Sequence, residues 1–414
     1  MLYTLEEVSK HKKRDDCWII LYNEVYDITK FMKNEHSGGY VPLSVSGKRA
    51  TNMFISTHPM YATKFLKPGS SFYKKYHVGT LVKKERVKRD DKQYFELKKE
   101  VEQYVNDRDI KVRDITMFDI QIVMFIVASI YSYVKLMKSN RPFLLSLAHG
   151  TSVAYTFART YHDCNHGGLS KKQWKRYIFT FVNEIFSTNQ WWQEKHNSHH
   201  MDPNDPDKDP DMMQTPYIRV SYDQKLEKQY KFQHIYYAPL YTLFIVSNVL
   251  GLNLKNQSES ELVHHYSRVP AKIVMVLYYY HAIRSKKLMY IILSQLLTGF
   301  MLTSTFAVNH VHEELTGDNR DNTSFLTEQL TTAIDYRSGS KLVNFLSHGL
   351  NHQTLHHLFP SFNQLTYPRL TTDVLIPFCR KNGLPYNSER TFSRLFRRHV
   401  KSLYKFGRNE GFFQ

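Results

Sequence analysis

At 414 residues the chain exceeds one small domain and suits two or three units, each with a core of its own. Its formal net charge of +18 is scattered through loops and tails, a distribution that suits anionic lipid and sets nucleic acid aside. Cys17, Cys164 and Cys379 stand far apart with no CxxC spacing, which excludes a disulfide framework and a zinc ribbon and fits a reducing compartment.

Residues 1–82 read as a compact α+β unit, with strand-like stretches at 18–21 and 25–28 separated by a turn at Asn23-Glu24. No apolar signal core precedes it, so the first hundred residues are expected to stay in the cytosol. Residues 83–113 form a charged linker in which Phe95, Val101 and Val105 keep helical spacing, which predicts a solvated linker helix. Residues 117–137 are then apolar for long enough to cross about 30 Å of hydrocarbon. Arg141-Pro142 ends that stretch, and 142–158 supplies a shorter second one. Residues 288–308 form a third. Two weaker stretches, 234–252 and 270–283, read equally well as interfacial helices. The 14% aromatic content, with 29 Tyr and 26 Phe, also leans toward a chain that meets a bilayer interface.

Three short clusters follow apolar segments. The first is His162-Asp163-Cys164-Asn165-His166, in which two histidines four apart share a helix face. The second runs from Trp192 through Glu194-Lys195-His196-Asn197 to Ser198-His199-His200, and its offsets put His199 and His200 on the His196 side. The third, Gln353-Thr354-Leu355-His356-His357, repeats those offsets with an amide first. One such pair is commonly a surface accident. Three pairs near apolar segments are not, because imidazoles facing hydrocarbon are costly unless a metal satisfies them. Seven or more imidazoles exceed the four ligands of one tetrahedral zinc, so two ions follow. The Glu-x-x-His pattern of soluble di-iron carboxylate proteins is absent. His149 reads as a hydrogen-bonded interior histidine, and His264, His265, His312, His348 and His352 as loop or supporting residues. Asp202, Asp205, Asp207, Asp209 and Asp211 resemble a calcium loop, but prolines interrupt it and its turn glycine is missing.

In this order HDxxH, HxxHH and QxxHH resemble the histidine boxes of front-end fatty acyl desaturases. Asn351, Leu358-Phe359-Pro360, Asp209-Pro210-Asp211 and Gly383-Leu384-Pro385-Tyr386 are similar to that family's flanking sequence. The resemblance implies that His162, His166, His196, His199, His200, His356 and His357 hold two iron ions. It adds His310, in Asn309-His310, as a further ligand before the last box, and it places Gln353 at the site either on the metal or through water.

Near the N-terminus, His36 in His36-Ser37-Gly38-Gly39 and His58 lie twenty-two residues apart, and two histidines can fill both axial positions of a haem iron. With Trp18, Val25-Tyr26-Asp27-Ile28-Thr29 and Phe54 around them, the unit resembles cytochrome b5, although Ser37 stands where that family usually has proline and the interval is one residue shorter. Together these likenesses imply a cytochrome b5-like haem domain over 1–82, a linker over 83–113, an all-α membrane desaturase domain with about four transmembrane helices and cytosolic caps over 114–400, and a basic tail over 401–414.

All boxes must meet on one side of the membrane, so an even number of spans separates successive boxes. Two spans precede His162 and two more are needed between His200 and Gln353. The resemblance favours 270–283 with 288–308 for the second pair, although Lys286-Lys287 would then face the lumen. The activity it implies is oxygen-dependent insertion of a cis double bond between an existing double bond and the carboxyl end of an acyl-CoA or acyl-lipid, of delta-5 or delta-6 type. Haem b and two iron ions are the implied cofactors, an NAD(P)H-dependent cytochrome b5 reductase the electron source, and the endoplasmic reticulum membrane the location. The rival readings are a sphingolipid long-chain-base delta-8 desaturase, a hydroxylase of the same di-iron class, and a non-enzymatic haem- and metal-binding membrane adaptor.

Overall fold

A computed structural model describes residues 1–36, 41–83, 92–250, 265–315 and 323–410. Five strands, β1 (Leu2–Tyr3), β2 (Lys12–Lys13), β3 (Asp16–Leu21), β4 (Glu24–Asp27) and β5 (His77–Leu81), make one sheet in the order β1-β5-β4-β3-β2. β3 and β4 pair antiparallel from Trp18 opposite Asp27 to Leu21 opposite Glu24. Tyr22 and Asn23 between them have φ of 52° and 68°, the geometry of a two-residue hairpin turn that follows strand twist. The turn therefore falls one residue earlier than expected, because both loop residues must be left-handed and Asn23 tolerates that best. Around the sheet pack α1 (Leu5–Ser9), α2 (Thr29–Asn34), α3 (Thr51–Thr57) and α4 (Ser71–Tyr76). Their apolar sides meet it in a core that includes Cys17, Leu21, Tyr26, Ile28 and Met32.

α5 (Lys92–Asp107) has the helical spacing expected of the linker, but it is not solvated on every side. Tyr94, Leu97, Lys98 and Val101 are buried, and its apolar stripe joins a large cluster with Leu355, Leu358, Phe359 and Phe378. A charged helix can bury one stripe while its other faces stay wet. That burial ties the helix to residues far along the chain.

Eight helices follow: α6 (Thr116–Lys138), α7 (Pro142–Phe157), α8 (Gln173–Phe186), α9 (Asn189–Met201), α10 (Gln233–Thr242), α11 (Phe244–Val249), α12 (His265–Arg284) and α13 (Leu288–Ala307). Among the described residues, α6 and α13 are long and apolar enough to cross a membrane, and their 23 and 20 residues correspond to about 34 and about 30 Å. α7 has 16 residues and runs on into a π-helical turn, Ala158–Asp163. The 234–252 stretch is broken into α10 and α11, with residues 251 and 252 outside the described set. Met117, Val127, Ile130 and Val134 of α6 are exposed, as suits a helix facing hydrocarbon. α7 lies close against α13 at Gly150, where a Cβ would sit 2.5 Å from the Ser294 carbonyl oxygen. The close approach lets the Ser294 hydroxyl donate to the Ser146 carbonyl at 2.9 Å and the Thr298 hydroxyl to the Gly150 carbonyl at 2.8 Å.

The remainder comprises α14 (Phe325–Thr331), α15 (Lys341–Leu346), α16 (Gln353–Leu358), α17 (Tyr367–Leu370), α18 (Ile376–Lys381) and α19 (Phe392–Phe406). β6 (Asp335–Tyr336) pairs parallel with β7 (Ser388–Glu389), so this part is mostly helical and departs from the expected all-α composition. The ladder forms where two connecting segments run side by side and satisfy each other's backbone groups. Residues 401–406 continue α19, and Leu403 and Phe406 are buried against Tyr237 and Tyr241.

Candidate metal centre

α7 delivers the first box through its π-helical turn, which re-aims the side chains that follow. His162 and His166 end with ring centroids 5.1 Å apart. α9 supplies the second box and α16 the third, while His310 lies just beyond the end of α13. All are buried.

The imidazoles sort into two groups. His162, His166, His196 and His356 have ligand nitrogens within 4.8 Å of one another, and so do His199, His310 and His357. His200 stands between the groups, its ring centroid 4.5 Å from His166, 4.6 Å from His356 and 4.3 Å from His357. The sequence offsets put His199 and His200 on one side with His196, and the fold corrects this. Residues three and four apart on a helix diverge in direction enough that α9 serves one group through His196 and the other through His199.

The orientation of the rings is set by partners on their other nitrogen. Nδ1–H donates to Asp163 Oδ1 at 3.2 Å in His162, to Asp209 Oδ2 at 2.7 Å in His199, and to the Thr332 carbonyl at 2.9 Å in His310. His356 donates to the Tyr367 hydroxyl at 3.1 Å and His357 to Gln329 Oε1 at 2.7 Å. In each ring this leaves the Nε2 lone pair for a metal, the arrangement by which surrounding residues fix a ligating tautomer. Nε2 of His162 and of His356, both nitrogens of His166 and Nδ1 of His200 are buried without a hydrogen-bond partner. Orphaned acceptors of this kind are costly and a metal ion satisfies them. Burial, reinforced by neighbouring imidazoles, holds His166, His196, His200, His356 and His357 well below the usual histidine range, in the neutral form that binds metal. Burial pushes His199 the same way, but the Asp209 carboxylate outweighs it and raises its pKa.

The side-chain amide of Gln353 lies 2.9 Å from His310 Nε2 and 3.1 Å from His357 Nε2, and its Oε1 has no partner. Ligands at right angles, each about 2.1 Å from one ion, stand about 3 Å apart. Turning the amide over, which exchanges two nearly indistinguishable atoms, brings its oxygen to that position. The second group thus has room for an oxygen ligand where the first has only imidazoles.

In the N-terminal unit His36 and His58 face each other with ring centroids 6.0 Å apart and 45° between their planes. Two metal–nitrogen bonds of about 2 Å each, with the ring radii added, account for a gap of that size. His58 Nδ1 lies 3.2 Å from the Phe54 carbonyl, which orients the ring as a ligand. Ser37 and the two glycines after it fall outside the described residues.

Residues 140–390, more than half of the chain, match the model of the family described as fatty acid desaturase. The chain belongs to that family. Residues 4–82 match the cytochrome b5-like heme/steroid binding domain, so this desaturase carries its cytochrome b5 domain in front, the front-end arrangement. Such a domain implies haem. The chain is 27% identical to acyl-lipid (8-3)-desaturase B and to delta(5) fatty acid desaturase A of Dictyostelium discoideum, in each case over 98% of this chain and 94% of the relative. It is 22% identical to the delta(8)-fatty-acid desaturase of Helianthus annuus over 93% of this chain and 87% of the relative. The protein is accordingly an oxidoreductase of lipid metabolism and is membrane-associated.

Several residues that shape the desaturase site carry no sequence signal of their own. Gln329, the Thr332 carbonyl and Tyr367 reach it only through the fold. Asp209 stands out in the sequence only as part of the Asp209-Pro210-Asp211 flanking motif, whereas in the fold it is fully buried on His199 and also accepts from the Asn204 backbone N–H at 2.7 Å. His149 is the interior histidine expected, bonded to the Tyr278 hydroxyl at 2.9 Å and the Ser129 carbonyl at 3.1 Å. His312 bonds the Val308 carbonyl and His348 receives a hydrogen bond from the Arg159 guanidinium, and neither is a member of the two groups. His264 lies outside the described residues. Asp209→Asn keeps the shape beside His199 but removes the charge, and loss of such a partner typically costs about 10- to 100-fold in metal affinity or activity. Metal retained after dialysis against a chelator should fall accordingly, and unchanged retention would remove Asp209 from the site.

Proposed function

We propose that this desaturase inserts a cis double bond between an existing double bond and the carboxyl end of a polyunsaturated acyl-lipid or acyl-CoA, with delta-5 or delta-6 regiochemistry. The observation that carries this is the division of buried imidazoles into two adjacent groups bridged by one helix, which suits a pair of ions rather than one. The names of the Dictyostelium relatives support the delta-5 type.

His162, His166, His196 and His356 would hold one iron ion, His199, His310, His357 and the Gln353 oxygen the other, with His200 between them. Bound there, the iron pair supplies oxygen activation and removal of hydrogen from adjacent methylenes. The protein's part is to orient and to keep dry. Trp192 stacks on His196 with ring centroids 4.8 Å apart, and Phe306 lies 6.4 Å from His162, so aromatic rings close the site on its membrane side. Phe157, Phe186 and Ile245 belong to the same apolar cluster and also border a small void beside His149 and Tyr278.

His36 and His58 would be the axial ligands of haem b, fed by an NAD(P)H-dependent cytochrome b5 reductase and passing electrons onward. In this reading α6, α7, α12 and α13 make four spans of the endoplasmic reticulum membrane, with both metal sites on the cytosolic side. The domains run 1–82, 83–113 and 114–400, with a basic tail from 401.

Expression in yeast supplied separately with C18 and C20 polyunsaturated acids, followed by mass spectrometry of fatty-acid derivatives, tests the proposal. A product two hydrogens lighter with its new bond on the carboxyl side of the existing ones is expected. Gain of one oxygen would instead identify a hydroxylase. No new bond in any acid, with haem and iron both measured in the protein, would overturn it.

A further inference from the structure

α3, the helix that ends at His58, is inserted between the ends of the second and third histidine boxes. On one side the Asn52 side-chain amide donates to the Met201 carbonyl at 3.0 Å, and Met201 directly follows His200. On the other, the Ser361 hydroxyl donates to the Thr57 carbonyl at 3.1 Å. The Tyr94 hydroxyl lies 3.2 Å from the Ile55 carbonyl and 3.0 Å from that of Leu358, the residue after His357. Helix α3 thus touches Met201, the neighbour of His200, and is joined through the Tyr94 hydroxyl to Leu358, the neighbour of His357; the rings of His200 and His357 stack on each other 4.3 Å apart.

The pose is held by the segment that the sequence presents as a linker. Lys98 is buried, and its ammonium donates to the carbonyls of Ile55 and His58. Arg113 donates through Nε to the Ser361 carbonyl at 2.8 Å and through Nη2 to the Thr57 carbonyl at 3.5 Å. Further along α9, the Asn197 amide donates to Ser44 at 2.7 Å, and Lys48 donates to Ser198 at 3.1 Å. The bonds of Tyr94, Lys98 and Arg113 are buried or partly buried and aimed at backbone carbonyls, which gives them more directional hold than exposed ion pairs. A domain meant to swing on a tether has no use for buried donors of this kind.

We infer that the linker segment is a clamp, with Tyr94, Lys98 and Arg113, together with Ser361, holding α3 in one fixed pose so that electrons leave the haem domain at Ile55–Thr57 and enter the metal centre beside His200 and His357. This rests on the haem and di-iron reading above. Each passage takes one electron from the His36/His58 side and adds one to the histidine-box side. An external reductant, a flavoprotein reductase or dithionite, restores the first. Tyr94, Lys98, Arg113 and Ser361 are positioning residues, since none touches haem, metal or substrate.

The test is the double variant Tyr94→Phe with Ser361→Ala in the full-length protein in lipid nanodiscs. It removes two hydroxyls and little shape. After dithionite reduction of the haem and mixing with oxygen and substrate, the rate of haem reoxidation is expected to fall at least tenfold. Haem spectrum, haem potential and iron content should equal those of the parent. Hydrogen exchange at residues 52–58 and 358–361 should rise together, a readout independent of turnover. Ser361→Thr, which keeps the hydroxyl, should reoxidise at the parental rate. An unchanged reoxidation rate in the double variant overturns the proposal, as does slowing accompanied by loss of haem or iron, which makes these residues merely structural. Absence of haem or iron from the parent protein would defeat the functional reading instead, and the two failures are separable.

Discussion

Replacing His200 with alanine should abolish desaturation. The ring lies 4.5 Å from His166, 4.6 Å from His196, 4.6 Å from His356 and 4.3 Å from His357, so its loss opens a void at the junction of the two groups and removes the imidazole between them. Loss of a residue that merely orients a ligand typically costs about 10- to 100-fold, and loss of a ligand itself is expected at the upper end of that range or beyond. Iron per chain and product per chain, measured on the same preparation, decide it: both should drop, while the haem spectrum stays parental because the His36 and His58 rings face each other and neither is among the rings around His200. A His200→Ala protein with full iron and full activity would show that the four imidazoles around it suffice.

His58→Ala should produce the complementary pattern. His58 faces His36 across 6.0 Å, so in the proposed reading its removal takes away one of the two haem-holding rings. Haem should be lost or become high-spin, which the absorption spectrum reads directly, and desaturation should fall by about two orders of magnitude or more because the metal centre receives no electrons through it. Iron content should be unaffected. Since His58 closes α3, hydrogen exchange across 51–57 separates loss of the ligand from loss of the helix. Normal haem in this variant would transfer the axial role to another residue.

The paired outcomes reflect how differently the two sites were legible. The histidine boxes could be read because a metal site on a helix repeats at three and four residues, and that repeat is local. The candidate haem pair, His36 and His58, stands out only with its neighbours Trp18, Tyr26 and Phe54, since a histidine pair twenty-two residues apart has no periodicity. The N-terminal hairpin was read one residue out of register, because pattern locates two strands more firmly than the two left-handed residues that join them. The linker was misjudged as solvated for a related cause. Its charge is visible along the chain, whereas the residues that bury Tyr94 and Leu97, among them Leu358 and Phe378, lie more than two hundred positions away.

Cluster spacing, apolar segment length and flanking residues were therefore enough, from the sequence by itself, to point to a membrane-associated histidine-box desaturase with a cytochrome b5-like domain in front. The tertiary structure alone decided how α9 divides His196 and His199 between two groups, which buried partners turn each Nε2 toward a shared point, and how α3 is lodged beside His200 and His357. The reason is range: helical offsets are set by neighbours within one turn, while the partners Asp209, Gln329, Thr332 and Tyr367 come together only when distant segments have packed.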